Sequence, residues 1–218
     1  MIKGVIFDQD GLMFDTERVL EKAWHAAEKD WGIHLEEDFL KTIRGMKHQD
    51  ARVKFEAWYG TEVDFLALRN KRQEYFEEFL RRDGVPVKPG LLELLQYLKE
   101  QEIPAAVASA SPMEYTKRNL LETGISQYFS QLVTGDMVAH AKPDPEIFWK
   151  AAALLGVKPE ECLVLEDSLN GVEAGIRGGF VTVMVPDMTM PDKELAGRVK
   201  RVCSSLLEVR DMLKEEKI

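Results

Sequence analysis

Asp8 and Asp10 stand two residues apart at the end of the apolar run Val5-Ile6-Phe7, and Gly11 follows them. Alternate residues on an extended backbone point the same way, so both carboxylates can face one point just beyond a strand end. Gly11 lets the chain turn sharply there without a Cβ penalty. Hard oxygen donors placed like this suit Mg²⁺, which takes one or two carboxylates and keeps room for phosphate and water. They also suit covalent catalysis in two steps, one aspartate as nucleophile and the other as acid and base. A strand followed by a polar turn is the other reading, because Asp and Gly are common turn residues.

Three later segments have the residue types to join such a site. In Ser109-Ala110-Ser111-Pro112 a hydroxyl and backbone N–H groups near a helix start could hold a phosphate. Capping of the helix ahead of Pro112 accounts for the same serines. Lys142, stiffened by Pro143 in Lys142-Pro143-Asp144-Pro145, could neutralise a phosphoryl group and a nucleophilic carboxylate together, or be one more surface lysine. In Glu166-Asp167-Ser168-Leu169-Asn170-Gly171, adjacent acids at the end of a buried strand are costly unless a cation or hydrogen bonds compensate them. Asp167 can complete a metal site while Ser168 caps the next helix, or Asp167 can itself be the cap.

The elements that must position these residues fall into two kinds. Residues 2–7 read as an apolar strand, and from Thr16 to Gly84 the pattern is amphipathic helix. The spacing predicts one helix N-capped at Thr16, then helices around 36–43, 49–59 and 63–82, the last two stopped by Gly60 and Gly84. Beyond Val85, strands at 103–108, 131–134, 162–166, 180–185 and 199–202 alternate with helices at 90–101, 112–122, 144–155, 169–177, 192–197 and 204–216. That alternation predicts a parallel sheet covered on both faces, with the helical block inserted after its first strand as a second domain. In such sheets ligands bind outside the carboxyl ends of the strands, where all four polar segments fall.

Composition narrows the function. The 218 residues are 45% hydrophobic and 31% charged, ordinary for a globular chain long enough to bury a large core. A net charge of −9 argues against a nucleic-acid partner, and no apolar run reaches the roughly 18 residues of a membrane span. There is no signal-peptide pattern, and Cys162 and Cys203 lack metal-ligand spacing. Two packed thiols in a reducing, cytoplasmic compartment are the expectation.

Taken in order, the four segments resemble the haloacid dehalogenase-like hydrolases, in their phosphatase and phosphoglucomutase branch. Asp8-Gln9-Asp10-Gly11 with Asp15-Thr16 matches the first motif, Ser109 in Val107-Ala108-Ser109-Ala110-Ser111 the second, Lys142 the third, and Glu166-Asp167-Ser168-Leu169-Asn170-Gly171 with Ala174 the fourth. The resemblance covers essentially the whole chain. It implies a Rossmann-like α/β catalytic core at 1–14 and 85–218 with an inserted all-helical cap at 15–84, typically in a monomer. It further implies that Asp8 attacks phosphorus to form an aspartyl-phosphate while Asp10 protonates the leaving alcohol and then activates water. Mg²⁺ would be held by Asp8, the Asp10 backbone carbonyl and Asp167, with Glu166 a further ligand or a support behind them. Ser109, Ala110 and Lys142 would grip the phosphoryl oxygens of a small phosphorylated metabolite, with sugar phosphates the expected kind.

Two positions depart from the β-phosphoglucomutases of that branch. Leu20 stands where they carry a histidine on the first cap helix, and His48 where they carry an arginine after the glycine matched by Gly45. Both favour a phosphatase over a mutase. Arg44, Lys47 and His48 around Gly45 resemble a substrate-facing cap loop, or are a solvated connection, and Glu17 is a substrate contact or a first-turn helix acid. A dehalogenase would leave Asp10 and Asp167 without a role. A binding module is the remaining alternative, separated from an enzyme by Mg²⁺-dependent phosphate release from p-nitrophenyl phosphate.

Overall fold

The computed structural model describes residues 1–44, 46 and 48–215, with the side chain of His48 also outside the description. The chain forms two compact units, one of Met1–Asp15 with Val85–Ile218 and the other of Thr16–Gly84. Strand β1 (Gly4–Phe7) opens the first unit, and all four of its residues are buried. A parallel strand covered on both faces has to read as a continuous apolar run, which is how this one reads.

The second unit holds four helices: α1 (Thr16–Trp31), α2 (Glu37–Ile43), α3 (His48–Tyr59) and α4 (Phe65–Asp83). Trp24, Phe39, Leu40, Phe55, Phe65 and Leu68 are part of its own core, and the Phe39 and Phe55 rings meet edge-on at 5.8 Å. The Asp64 carboxylate caps α4 by accepting from the N–H groups of Leu66 and Ala67, and Gly84 ends that helix at φ 79°. Thr16, expected to precede the first helix as its cap, is instead its first helical residue. Among the described residues of 16–84 there is no strand.

The first unit resumes with α5 (Leu91–Glu100), β2 (Ala105–Ser109), α6 (Met113–Glu122) and β3 (Phe129–Thr134). It continues through α7 (Glu146–Leu155), β4 (Cys162–Glu166), α8 (Leu169–Arg177), β5 (Val181–Met184), α9 (Lys193–Arg198), β6 (Arg201–Val202) and α10 (Leu206–Lys214). All neighbouring strands are parallel, in the order β3-β2-β1-β4-β5-β6. Alternate strand residues serve opposite faces. Val5, Phe7, Val107, Leu163 and Leu165 pack with leucines of α5 and α10, whereas Ile6, Ala106, Ala108 and Val164 pack with Phe148 of α7 and Ala174 of α8. Each large side chain buried this way contributes about 1.5–3 kcal/mol.

The boundaries shift by a residue or two for local reasons. The helix expected from 144 starts at Glu146, because the Asp144 carboxylate takes the Glu146 N–H and the Pro145 carbonyl takes those of Phe148 and Trp149. Strand β3 begins two residues early, after a 3₁₀ turn at Ser126–Tyr128 that leaves no mark in hydrophobic periodicity. Both cysteines are buried free thiols, and burial pushes Cys162 up to about 12 and Cys203 up to about 11.

Candidate active site

In this strand order the chain runs outward from β1 to β3 and then returns to lay β4 on the other side of β1. The crevice at the carboxyl ends of β1 and β4 is therefore the place where such a sheet takes a ligand. Asp8 is the first residue past β1, and its N–H still bonds the Leu165 carbonyl at 3.0 Å, so the sheet ladder fixes its backbone. Glu166 is the last residue of β4, and Ser109 the last of β2. All three side chains come from buried positions at one edge of the sheet.

Lys142 ties this edge together. Its ammonium donates to Asp8 Oδ1 at 2.5 Å, to Glu166 Oε1 at 2.6 Å and to the Ala108 carbonyl at 3.1 Å, and it lies 4.8 Å from the centre of the Phe148 ring. Burial alone would lower this ammonium, but Asp8 and Glu166 hold it well above the ordinary lysine range. Burial pushes Asp8 up to about 8 despite the pull of Lys142, and the charges of Glu166 and Asp10 add to the rise. The other Glu166 oxygen accepts from the Asp167 and Ser168 N–H groups at 3.0 and 2.9 Å and from the Ser168 hydroxyl at 2.9 Å. Glu166 is thus the brace that holds both the lysine and the Asp167 turn.

Carboxylate oxygens of Asp8, Glu166 and Asp167 lie within 4.8 Å of one another. The Lys142 ammonium bonds both Asp8 and Glu166, and the charges of Glu166 and Asp10 add to the rise that burial imposes on Asp8. Hard oxygen donors at this spacing fit a small divalent ion such as Mg²⁺. Ser168, not Asp167, caps α8, its hydroxyl accepting from the Gly171 N–H, which leaves the Asp167 carboxylate to the cluster. Gly11 makes room for it: the backbone there has φ +88°, and a Cβ would sit 2.2 Å from Asp167 Oδ2.

The Asp10 carboxylate is arranged differently from the sequence-based expectation of Asp8, Asp10 and Asp167 converging. Its Oδ2 accepts from the Ser111 hydroxyl at 2.7 Å and from Gln9 Nε2 at 3.3 Å, and its Oδ1 from the Tyr115 hydroxyl at 3.1 Å. It therefore turns toward the start of α6, while the cluster takes Glu166 in its stead. Burial, and then the Asp10 charge, lift the Tyr115 phenol well above its usual range, so it remains a donor. Ser109 Oγ accepts from the Ser111 N–H at 3.1 Å, and neither serine supplies the cap of α6, whose N-cap position is Pro112. Ala110 is exposed at this turn. The roles of Ser111 as an Asp10 donor and of Tyr115 were not visible in the sequence; nothing about a tyrosine in the first turn of a helix singles it out.

Within the helical unit, Arg44 lies 3.8 Å from Glu17 and 4.0 Å from Glu21, beside a small cavity of about 30 Å³ that Leu20 and Trp24 help to line. Arg72, which the sequence reading passed over, is buried with its guanidinium 4.8 Å from the Trp24 ring, and burial lowers it to about 10. Lys47 and the side chain of His48 lie outside the described residues.

A parallel sheet of this order with acids, a buried lysine and hydroxyls at its strand ends defines an α/β enzyme whose site sits on the switch crevice. The family model for haloacid dehalogenase-like hydrolases matches residues 2–179. A phosphorylated carbohydrates phosphatase of Thermotoga maritima is 30% identical over 183 residues, 82% of each chain. A solved haloacid dehalogenase family hydrolase of Deinococcus radiodurans, with bound phosphate and sodium, is 26% identical at a TM-score of 0.81, covering 98% of this chain and 96% of its own. The solved β-phosphoglucomutase of Clostridium difficile shares the fold, with 24% identity and a TM-score of 0.76 over 100% and 97% of the two chains. The chain belongs to the haloacid dehalogenase-like hydrolases.

Proposed function

We propose that this phosphoric monoester hydrolase is a Mg²⁺-dependent phosphatase of small phosphorylated metabolites, sugar phosphates foremost, working through an aspartyl-phosphate on Asp8. The observation that carries this reading is the Lys142 ammonium bonded at once to Asp8 and Glu166 beside Asp167. One carboxylate of the cluster is the nucleophile, and the lysine offsets the charge that accumulates when an anionic phosphoryl group meets it.

Asp8 attacks phosphorus through its carboxylate, and the bond to the leaving oxygen breaks as that oxygen takes a proton from Asp10. In the second step Asp10 takes a proton from water, which attacks the phosphorus and returns Asp8 and free phosphate. Ser109, the Ala110 backbone and Lys142 bind the phosphoryl oxygens. Asp8, Asp167 and the Asp10 carbonyl would hold Mg²⁺, which when bound supplies Lewis-acid stabilisation of the charge developing on those oxygens. Glu166 supports this set by holding Lys142 and the Asp167 backbone. The site lies in the first unit, and the helical unit is the cap that selects the substrate through Glu17, Arg44, Lys47 and His48.

Hydrolysis is favoured over the mutase alternative by the cap residues. Leu20 can neither donate nor accept a hydrogen bond, and Arg44 sits between the carboxylates of Glu17 and Glu21 rather than standing ready for a second phosphate. A panel of sugar phosphates and p-nitrophenyl phosphate, assayed for phosphate release with and without Mg²⁺, tests the proposal. Interconversion of glucose 1- and 6-phosphate is followed in parallel, with a trace of the 1,6-bisphosphate. Phosphate release should exceed isomerisation on every substrate. Glucose 6-phosphate forming tenfold faster than free phosphate, about 1.4 kcal/mol in barrier terms, would make the protein a mutase.

A further inference from the structure

The Asp10 carboxylate is held by groups that the catalytic reading does not use. Ser109 Oγ fixes the Ser111 N–H at 3.1 Å, the Ser111 hydroxyl reaches Asp10 Oδ2 at 2.7 Å, and the Tyr115 hydroxyl reaches Oδ1 at 3.1 Å. The two oxygens of one carboxylate are thus clamped by two hydroxyls from one turn of α6 and the segment before it. The clamp crosses from β1 to the helix after β2, 105 residues away in the chain. A half-buried phenol has no packing need for its oxygen; a phenylalanine would fill the same space.

We infer that Tyr115, with Ser111, is a positioning residue for the acid/base carboxylate of Asp10. The inference rests on the acid/base role of Asp10. An aspartate side chain beyond a strand end, on a turn opened by Gly11, has free rotation about two bonds, and proton transfer to a leaving oxygen requires one narrow orientation. Two donors on opposite oxygens fix both torsions. Because Ser111 is itself anchored to Ser109, the turn that grips the phosphoryl group also aims the carboxylate that must reach its leaving oxygen.

The consequence is selective. Protonation of the leaving group matters for an alkyl oxygen, which leaves poorly as an alkoxide, and hardly at all for p-nitrophenolate. The first-order test is kcat/KM, which reports steps up to formation of the aspartyl-phosphate. It is measured on p-nitrophenyl phosphate and on the alkyl monoester of the panel with the highest wild-type kcat/KM. Tyr115→Phe should lower kcat/KM on the alkyl ester about tenfold, a part of the 10²–10⁴ typical of general acid catalysis, and change the aryl ester less than twofold. Ser111→Ala should move the ratio in the same direction. Since the ratio does not depend on the concentration of folded enzyme, a partly unfolded variant still reports it. Equal losses on both esters, or no change on either, would overturn the inference. Asp10→Asn separates the two layers of the argument. A loss confined to the alkyl ester there, with an unchanged ratio in Tyr115→Phe, removes Tyr115 alone. An unchanged ratio in Asp10→Asn itself removes the acid/base role of Asp10 and this inference with it.

Discussion

Gly11→Ala is a one-methyl change whose effect can be worked from the geometry. The added Cβ lies 2.2 Å from Asp167 Oδ2 and 2.7 Å from its Cγ, where ordinary contact begins at 3.4 Å. The carboxylate must therefore retreat by about 1.2 Å, or the 9–14 turn must move, and that turn is fixed by the bonds from Met13 and Phe14 N–H to the Gln9 carbonyl. A non-glycine residue at φ +88° adds backbone strain of roughly 1–3 kcal/mol. Thermal unfolding of the first unit should fall by about 2–4 °C for each kcal/mol. The larger effect is on function: a displacement of about 1 Å at a positioned group costs on the order of 10²-fold in rate. The assay is a Mg²⁺ titration of phosphate release from p-nitrophenyl phosphate, paired with a melting curve. The half-saturating Mg²⁺ concentration should rise and kcat should drop about a hundredfold. A variant that melts lower but titrates with Mg²⁺ as the wild type does would refute the assignment of Asp167 to the metal cluster.

Asp8→Asn should abolish turnover, because an amide cannot replace the carboxylate nucleophile, and beryllofluoride should lose its attachment there; residual turnover above a thousandth of wild type contradicts the assignment. Asp167→Ala should leave a weak, Mg²⁺-insensitive activity, read in the same titration. Lys142→Met leaves the buried Asp8 and Glu166 facing each other without their shared cation, so it should destabilise the fold by roughly 3–5 kcal/mol, measured by urea unfolding. Both thiols should resist 5,5′-dithiobis(2-nitrobenzoic acid) in the native protein and react once it is unfolded, since burial holds Cys162 and Cys203 far above neutral pH as thiols; rapid labelling of the native protein would contradict that burial.

The sheet was readable because buried parallel strands are nearly unbroken apolar runs, and each of those at 5–7, 105–108 and 162–165 ends in a residue that breaks the run with a polar atom. That Asp8, Ser109 and Glu166 fall together was legible for the same reason, since strand-end position converts sequence order into spatial convergence, whereas Lys142 lies eight residues past β3 and was singled out by its motif. Orientation was not legible. Asp10 turns to Ser111 and Tyr115 because a hydroxyl 105 residues away happens to reach it, and no local pattern encodes that contact. The place of Glu166 was likewise open, because an acid at a strand end can ligate or brace, and its bonds to Lys142 and to the Asp167–Ser168 turn are not encoded in any local pattern. Arg72 escaped notice because a cation inside an amphipathic helix looks solvated until a tryptophan is found lying over it.

Strand β1 sits in the middle of the sheet yet precedes all of its partner strands in the chain. Its partners on one side, beginning at Ala105, emerge about 100 residues later, and those on the other side, beginning at Cys162, about 160 residues later. At typical synthesis rates of about 5–20 residues per second, both edges of β1 stay without their partners for roughly 5–20 s and the second for longer. Residues 16–84, by contrast, carry a core drawn entirely from within that stretch. The nascent chain therefore completes its inserted helices while its most apolar strand is still waiting. Val5, Ile6 and Phe7 are the part of this molecule whose safe passage depends on whatever shields them during translation.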